Sequence, residues 1–156
     1  MNVVQTKLPQ KSLDYLQDLI QANIDSRDGL REAAKHLTPT SDGPLYQLFY
    51  SLADERAAQA SELQAILACN DERPATSGSV TAMAHRAWTD FREAIGGGEK
   101  ALLEEAERGE DQIKAAYETA IVDLGTCECV ETLRKHYAAV KAAHDRIRDL
   151  RDRCTA

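Results

Sequence analysis

Apolar residues recur every three or four positions along most of the chain, the spacing that gathers them on one face of an α-helix. In the first such stretch Leu16, Leu19, Ile20, Leu30, Ala34 and Leu37 form the stripe, and Pro9 to Ser12 suit its start, which predicts a helix over 10–37. Thr38-Pro39-Thr40-Ser41-Asp42-Gly43 breaks the pattern, and Pro44 suits the first turn of a second helix over 43–69, with Leu45, Leu48, Leu52, Leu63 and Ile66 inward. So short a turn makes the two a helical hairpin. Asn70 to Gly78 is polar, carries Pro74 and reads as a crossover. Ser79 can cap a shorter helix over 79–95, striped by Val80, Ala84, Trp88, Phe91 and Ile95 and stopped by Gly96-Gly97-Gly98. A helix over 99–124 follows, with Leu102, Ala106, Ile113, Tyr117, Ala120, Ile121 and Leu124 on one face and Gly125 as its terminator. Thr126 is expected to cap a last helix over 127–153, with Val130, Leu133, Tyr137, Val140, His144 and Ile147 inward. No stretch reads as a strand. The pattern predicts a single all-α domain, 1–156: a four-helix bundle of two antiparallel hairpins, with a short extra helix in the long crossover between them.

The polar residues that fall on these stripes are the candidate chemistry. At 100° per residue the first helix places Asn23 and Arg27 on its apolar face, and the second places Arg56 and Gln59 there, three apart. The third long helix offers Glu110, with Glu107 nearer the edge, and the last offers Lys141 and His144, again three apart. Asn23 precedes Leu30 by seven residues and Glu110 precedes Tyr117 by seven, and each is followed in the next helix by a polar pair at i, i+3. That is the skeleton of a bundle holding two metals, with one carboxylate from each of two helices and Glu-x-x-His from each of the other two. Here Asn23 stands for the first carboxylate, Arg56-x-x-Gln59 for the first Glu-x-x-His and Lys141-x-x-His144 for the second. Two ligands cannot hold two divalent ions, and two cations among them repel any ion. Pairing Arg56 or Lys141 with Glu110, as a buried ion pair in place of metals, is the more economical expectation. A mononuclear site built from Glu110, His144 and Glu107 or Asp145 is the alternative, and a core His144 held by hydrogen bonds is the plainer one.

Composition narrows the function classes. Aromatic residues are 5 % of the 156 residues and helix-favouring types dominate. The 26 acidic against 19 basic residues give −7, which argues against a nucleic-acid surface. No apolar run approaches the ~20 residues that span a bilayer, and no secretory signal is visible, so no membrane partner is expected and the expected location is cytoplasmic. Cys69, Cys127, Cys129 and Cys154 are too few for a disulfide framework and are expected as thiols, with a redox or metal role for Cys127-Glu128-Cys129 as the alternative. His85 is expected beside Trp88, and His36 and His136 look isolated. Asp25, Asp28 and Glu32 read as a solvated face, and Glu104, Glu105 and Glu107 suit the macrodipole near a helix start. No phosphate loop and no activated nucleophile is visible.

Several segments together resemble an uncharacterised bacterial family of small four-helix-bundle proteins, a domain of unknown function, within the ferritin-like superfamily. They are Asp28-Gly29 with Arg31-Glu32-Ala33-Ala34, Glu62-Leu63, His85-Arg86-Ala87-Trp88, Glu107-Arg108-Gly109-Glu110-Asp111 with Tyr117, and His144-Asp145-Arg146-Ile147-Arg148-Asp149-Leu150-Arg151-Asp152. The resemblance spans about Leu13 to Asp152 and implies a ferritin-like bundle. Ferritins and rubrerythrins use di-iron sites for oxidation or peroxide chemistry, but four of the six corresponding positions here depart from that pattern. The expectation is therefore a bundle without a di-iron centre or other cofactor, with a non-enzymatic, stress-related or interaction role and a second copy of the chain as a candidate partner. The competing expectation is an oxidoreductase or iron-handling protein binding iron or another divalent metal through Glu110 and His144.

Overall fold

Four long helices form where the stripes lie: α1 (Gln10–Lys35), α2 (Gly43–Cys69), α3 (Gly98–Leu124) and α4 (Val130–Arg153). The computed structural model describes residues 7–38, 40, 43–78, 89–90, 92–94 and 96–154. The helix expected over 79–95, with His85 and the Trp88 stripe, falls mostly outside the described residues, although 89–90, 92–94 and 96 are helical. No strand occurs among the described residues, and none of the helices is long and apolar enough to cross a membrane. The molecule is an all-α four-helix bundle.

Two boundaries differ from expectation. The first helix ends at Lys35, with His36 as its C-cap, so Leu37 packs from the following turn rather than from the helix. The last begins at Val130 behind an N-cap at Cys129, and Thr126 caps nothing: Cys127, Glu128 and Cys129 form the turn itself. Gly125 does terminate α3, at φ 57°, the left-handed region that a residue without a Cβ enters at little expense.

The α1–α2 and α3–α4 hairpins pack against each other chiefly through α1 and α3. The crossover sets their relative direction. Beyond α2, the Asn70 side chain accepts from the Leu8 amide, Gln17 bridges Arg73 and Ala75, and Gly78 lies against Asp25. The segment thus runs back along α1 from its start towards its middle, which carries the chain lengthwise before α3 begins.

The core has two apolar halves. Leu16, Ile20, Leu63, Leu67, Ile113 and Leu133 lie in one, around the start of α1. Leu30, Leu48, Phe49, Leu52, Leu103 and Ile147 lie in the other. Buried polar positions interrupt the stripe of every helix: Asn23 on α1, Arg56 and Gln59 on α2, Glu110 on α3, and His136 and His144 on α4, with Arg56, Gln59 and Glu110 falling between the two halves.

Candidate functional site

The polar layer lies where α2 and α3 interrupt their stripes between the two apolar halves, at Arg56, Gln59 and Glu110. Arg56 is 0 % exposed and Glu110 1 %. The Arg56 guanidinium donates from Nη2 to Glu110 Oε2 and from Nη1 to Gln59 Oε1 at 3.0 Å, while the half-exposed Glu55 stands 3.6 Å from Nη1. Burial pushes the Glu110 carboxyl above its ordinary value, and the Arg56 charge pulls against that. Because a guanidinium stays protonated, the carboxylate is the counterion that makes its burial tolerable.

A second network adjoins the pair. The Asn23 amide donates from Nδ2 to Leu19 O and to Tyr117 Oη, both at 2.8 Å. Tyr117 Oη is 3.1 Å from His136 Nδ1, and His136 Nε2 is 2.9 Å from Glu62 Oε2. A carboxylate only accepts, so the Nε2–H donates to Glu62 and Nδ1 accepts from the tyrosine hydroxyl. The result is a continuous chain of hydrogen bonds from the bundle centre to a carboxylate at the surface. Burial lowers the His136 imidazole below its ordinary value despite Glu62, and burial raises the Tyr117 hydroxyl well above its own. The neutral forms are therefore the ones this chain holds. Asn23 Oδ1 and Arg56 Nε have no hydrogen-bond partner among the described residues.

Of the expected cluster, Arg56, Gln59 and Glu110 meet in this layer, Asn23 belongs to the adjoining network through Tyr117, and Lys141, Arg27 and His144 turn elsewhere. Lys141 is exposed and reaches Asp145 at 2.9 Å, so it is not the partner of Glu110. Arg27 is only partly buried and turns to Asp28, 2.7 Å away. Both have long stems that let the charged head leave the stripe for a nearby carboxylate. His144 lies at the α3–α4 seam, its Nε2 3.0 Å from Asp111 Oδ1 and 3.6 Å from Glu107 Oε1, its Nδ1 3.1 Å from Asp145 Oδ1. Glu107 is also paired with Arg151. No three His, Cys, Asp or Glu side chains converge in a metal-binding group among the described residues.

Residues that looked solvated or isolated also moved. His136 is buried in the hydrogen-bonded chain, not isolated. It lies three residues after Leu133 and four before Val140, a spacing that puts it on the stripe. Its neighbour Tyr137 is the one at the margin, donating to Glu118 at 2.7 Å. Glu105 is buried against Arg108, and burial raises its carboxyl. His36 stays exposed, 3.9 Å from Glu32.

The donor chemistry of the layer is that of an ion pair. At the heights where a dinuclear bundle carries carboxylates and imidazoles, the four inward groups are an amide, a guanidinium, a second amide and one carboxylate already bonded to that guanidinium. A metal there would have to displace the Arg56 guanidinium from the buried Glu110 carboxylate.

Residues 11–123 match the model of a domain of unknown function, DUF2383. The chain belongs to this family. The DUF2383 match covers α1, α2 and nearly all of α3, so Asn23, Arg56, Gln59, Glu110 and Tyr117 lie inside it and His136 and His144 beyond it. No curated protein matches the sequence significantly.

Proposed function

We propose that this DUF2383 protein is a ferritin-like bundle that has given up di-iron chemistry and works as a non-enzymatic scaffold, through its surface or by self-association. One observation carries the reading: the buried Arg56 guanidinium bonded to Glu110 where a metal-holding bundle needs ligands. A fixed positive charge in that layer opposes a divalent ion, and Asn23 and Gln59 supply no anionic ligand to offset it. The net charge of −7 favours protein partners over nucleic acid.

The test is elemental analysis of the untagged protein purified without chelators. The expected result is no transition metal near one equivalent per chain; iron, zinc or manganese held at one or two equivalents through dialysis overturns the reading. The competing one, a mononuclear metal at His144, is favoured by the carboxylates of Asp111 and Glu107 beside its Nε2. It requires that metal content fall on His144→Ala, and it no longer draws on Glu110, which Arg56 occupies.

A further inference from the structure

The turn between α3 and α4 brings two thiols together. Cys127 Sγ and Cys129 Sγ are 3.1 Å apart, about 1 Å beyond a disulfide bond. Both are reduced. Their surroundings differ in the way that divides labour between two cysteines. Cys129 is 5 % exposed and packs into the apolar half of the core beside Leu13 and Leu133. Cys127 is half-buried and lines an open cleft of about 430 Å³ with Lys7, Lys11, Ser12, Asp123 and Glu128. Its sulfur is 3.4 Å from Ser12 Oγ, and the Cys129 thiol is the other donor it faces. It also lies two residues before Cys129, the N-cap of α4, where the helix dipole favours an anion.

We propose that Cys127 and Cys129 are a thiol–disulfide exchange site acting on low-molecular-weight disulfides, with Cys127 the attacking sulfur and Cys129 the resolving one. The Cys127 thiolate attacks one sulfur of RSSR, forming a Cys127–S–S–R mixed disulfide and expelling RS⁻, which takes up a proton. Cys129 then gives up its proton and attacks the Cys127 sulfur. The Cys127–Cys129 disulfide forms and a second RS⁻ leaves, to be protonated in turn. Two protein thiols are oxidised, and one disulfide is reduced to two thiols. The electrostatics agree with the roles. Ser12 and Cys129 hold the Cys127 thiol below its ordinary value despite its partial burial, while burial pushes Cys129 up to about 12. The site lies in the α3–α4 turn, away from the polar layer, and is independent of whether the bundle holds a metal.

The experiment uses the full chain carrying Cys69→Ser and Cys154→Ser, which leaves only this pair, exposed to excess oxidised glutathione. Thiol titration and non-reducing peptide mapping are expected to show two thiols lost per chain and a Cys127–Cys129 link. With Cys129→Ser added, glutathione accumulates on Cys127. With Cys127→Ser added instead, Cys129 reacts at least about tenfold more slowly, because the buried thiol has little thiolate. The same mapping on the unsubstituted chain gives the link without relying on the variants' folding. Retention of both thiols under excess oxidant overturns the proposal, as does faster glutathione addition at Cys129 than at Cys127.

Discussion

Removing one member of the central pair should damage the fold far more than removing both. With Glu110→Leu, Arg56 keeps a full charge at 0 % exposure and retains only the Gln59 oxygen and the Glu55 carboxylate at 3.6 Å. Breaking a buried pair from one side costs about 3–5 kcal/mol, against a total stability of about 5–15 kcal/mol for a domain. At about 2–4 °C per kcal/mol for a chain of this length, the melting temperature should fall by about 6–20 °C. Arg56→Met should be similar, since it leaves the Glu110 carboxyl at 1 % exposure without its cation. The double variant Arg56→Met/Glu110→Leu buries no unpaired charge. It loses the Gln59 hydrogen bond, worth about 1 kcal/mol, and removes the desolvation penalty of two ions, so it should lie within about 1–2 kcal/mol of the parent or above it. Urea unfolding followed by far-UV circular dichroism on the four proteins gives the coupling energy. Single effects that simply add, within about 0.5 kcal/mol, would show that the two charges do not act as a unit and would refute the reasoning.

Two further outcomes can be checked in the same way. Because the native fold lowers the His136 imidazole, the unfolded chain takes up a proton before the native one as pH falls; this contribution is complete above the ordinary histidine value and is lost as pH drops through it towards the lowered value. Urea midpoints measured from about pH 8 to pH 5.5 should therefore decline less steeply for His136→Gln than for the parent, and equal slopes would remove His136 from the account. Gly109 sits inside α3 where an added Cβ meets nothing within 4 Å, so Gly109→Ala should raise stability by about 0.5–1 kcal/mol; a lower melting temperature would contradict that.

The helices were legible because burial of Leu, Ile and Ala at helical spacing leaves little freedom in which face turns inward. Arg56, Gln59, Asn23 and Glu110 were legible for the same reason: a residue at the middle of a wide stripe is buried whatever its chemistry. Residues near the stripe's edge were not. His136 and Tyr137 stand about 100° apart on α4, so where the stripe is centred decides between them; hydrophobicity favours the tyrosine, yet a phenol satisfied by Glu118 suits the surface as well. Lys141 and Arg27 have backbones that periodicity places well, but their charged ends are flexible enough to find Asp145 and Asp28 outside. The contact of Cys127 with Ser12 joins residues 115 apart in sequence, and no local pattern signals it.

The layer's place in the middle of the bundle bears on what the pair contributes. On either side the core is built from similar Leu, Ile and Ala positions, so sliding one helix by a turn, about 5.4 Å, would still match apolar surface to apolar surface. It would not match the polar layer. Moving α2 by a turn against α3 takes Arg56 from Glu110 and sets a leucine or alanine against the carboxylate; moving α3 against α1 and α4 takes Tyr117 from both Asn23 and His136 at once. Each slip strands several buried polar groups at about 1–3 kcal/mol apiece, more where a charge is involved. The registered bundle gains little net stability from the ion pair, yet the slipped ones lose heavily by it. This is how an apolar double variant can match the parent in stability while Arg56 and Glu110 still determine which of several similar packings is the native one.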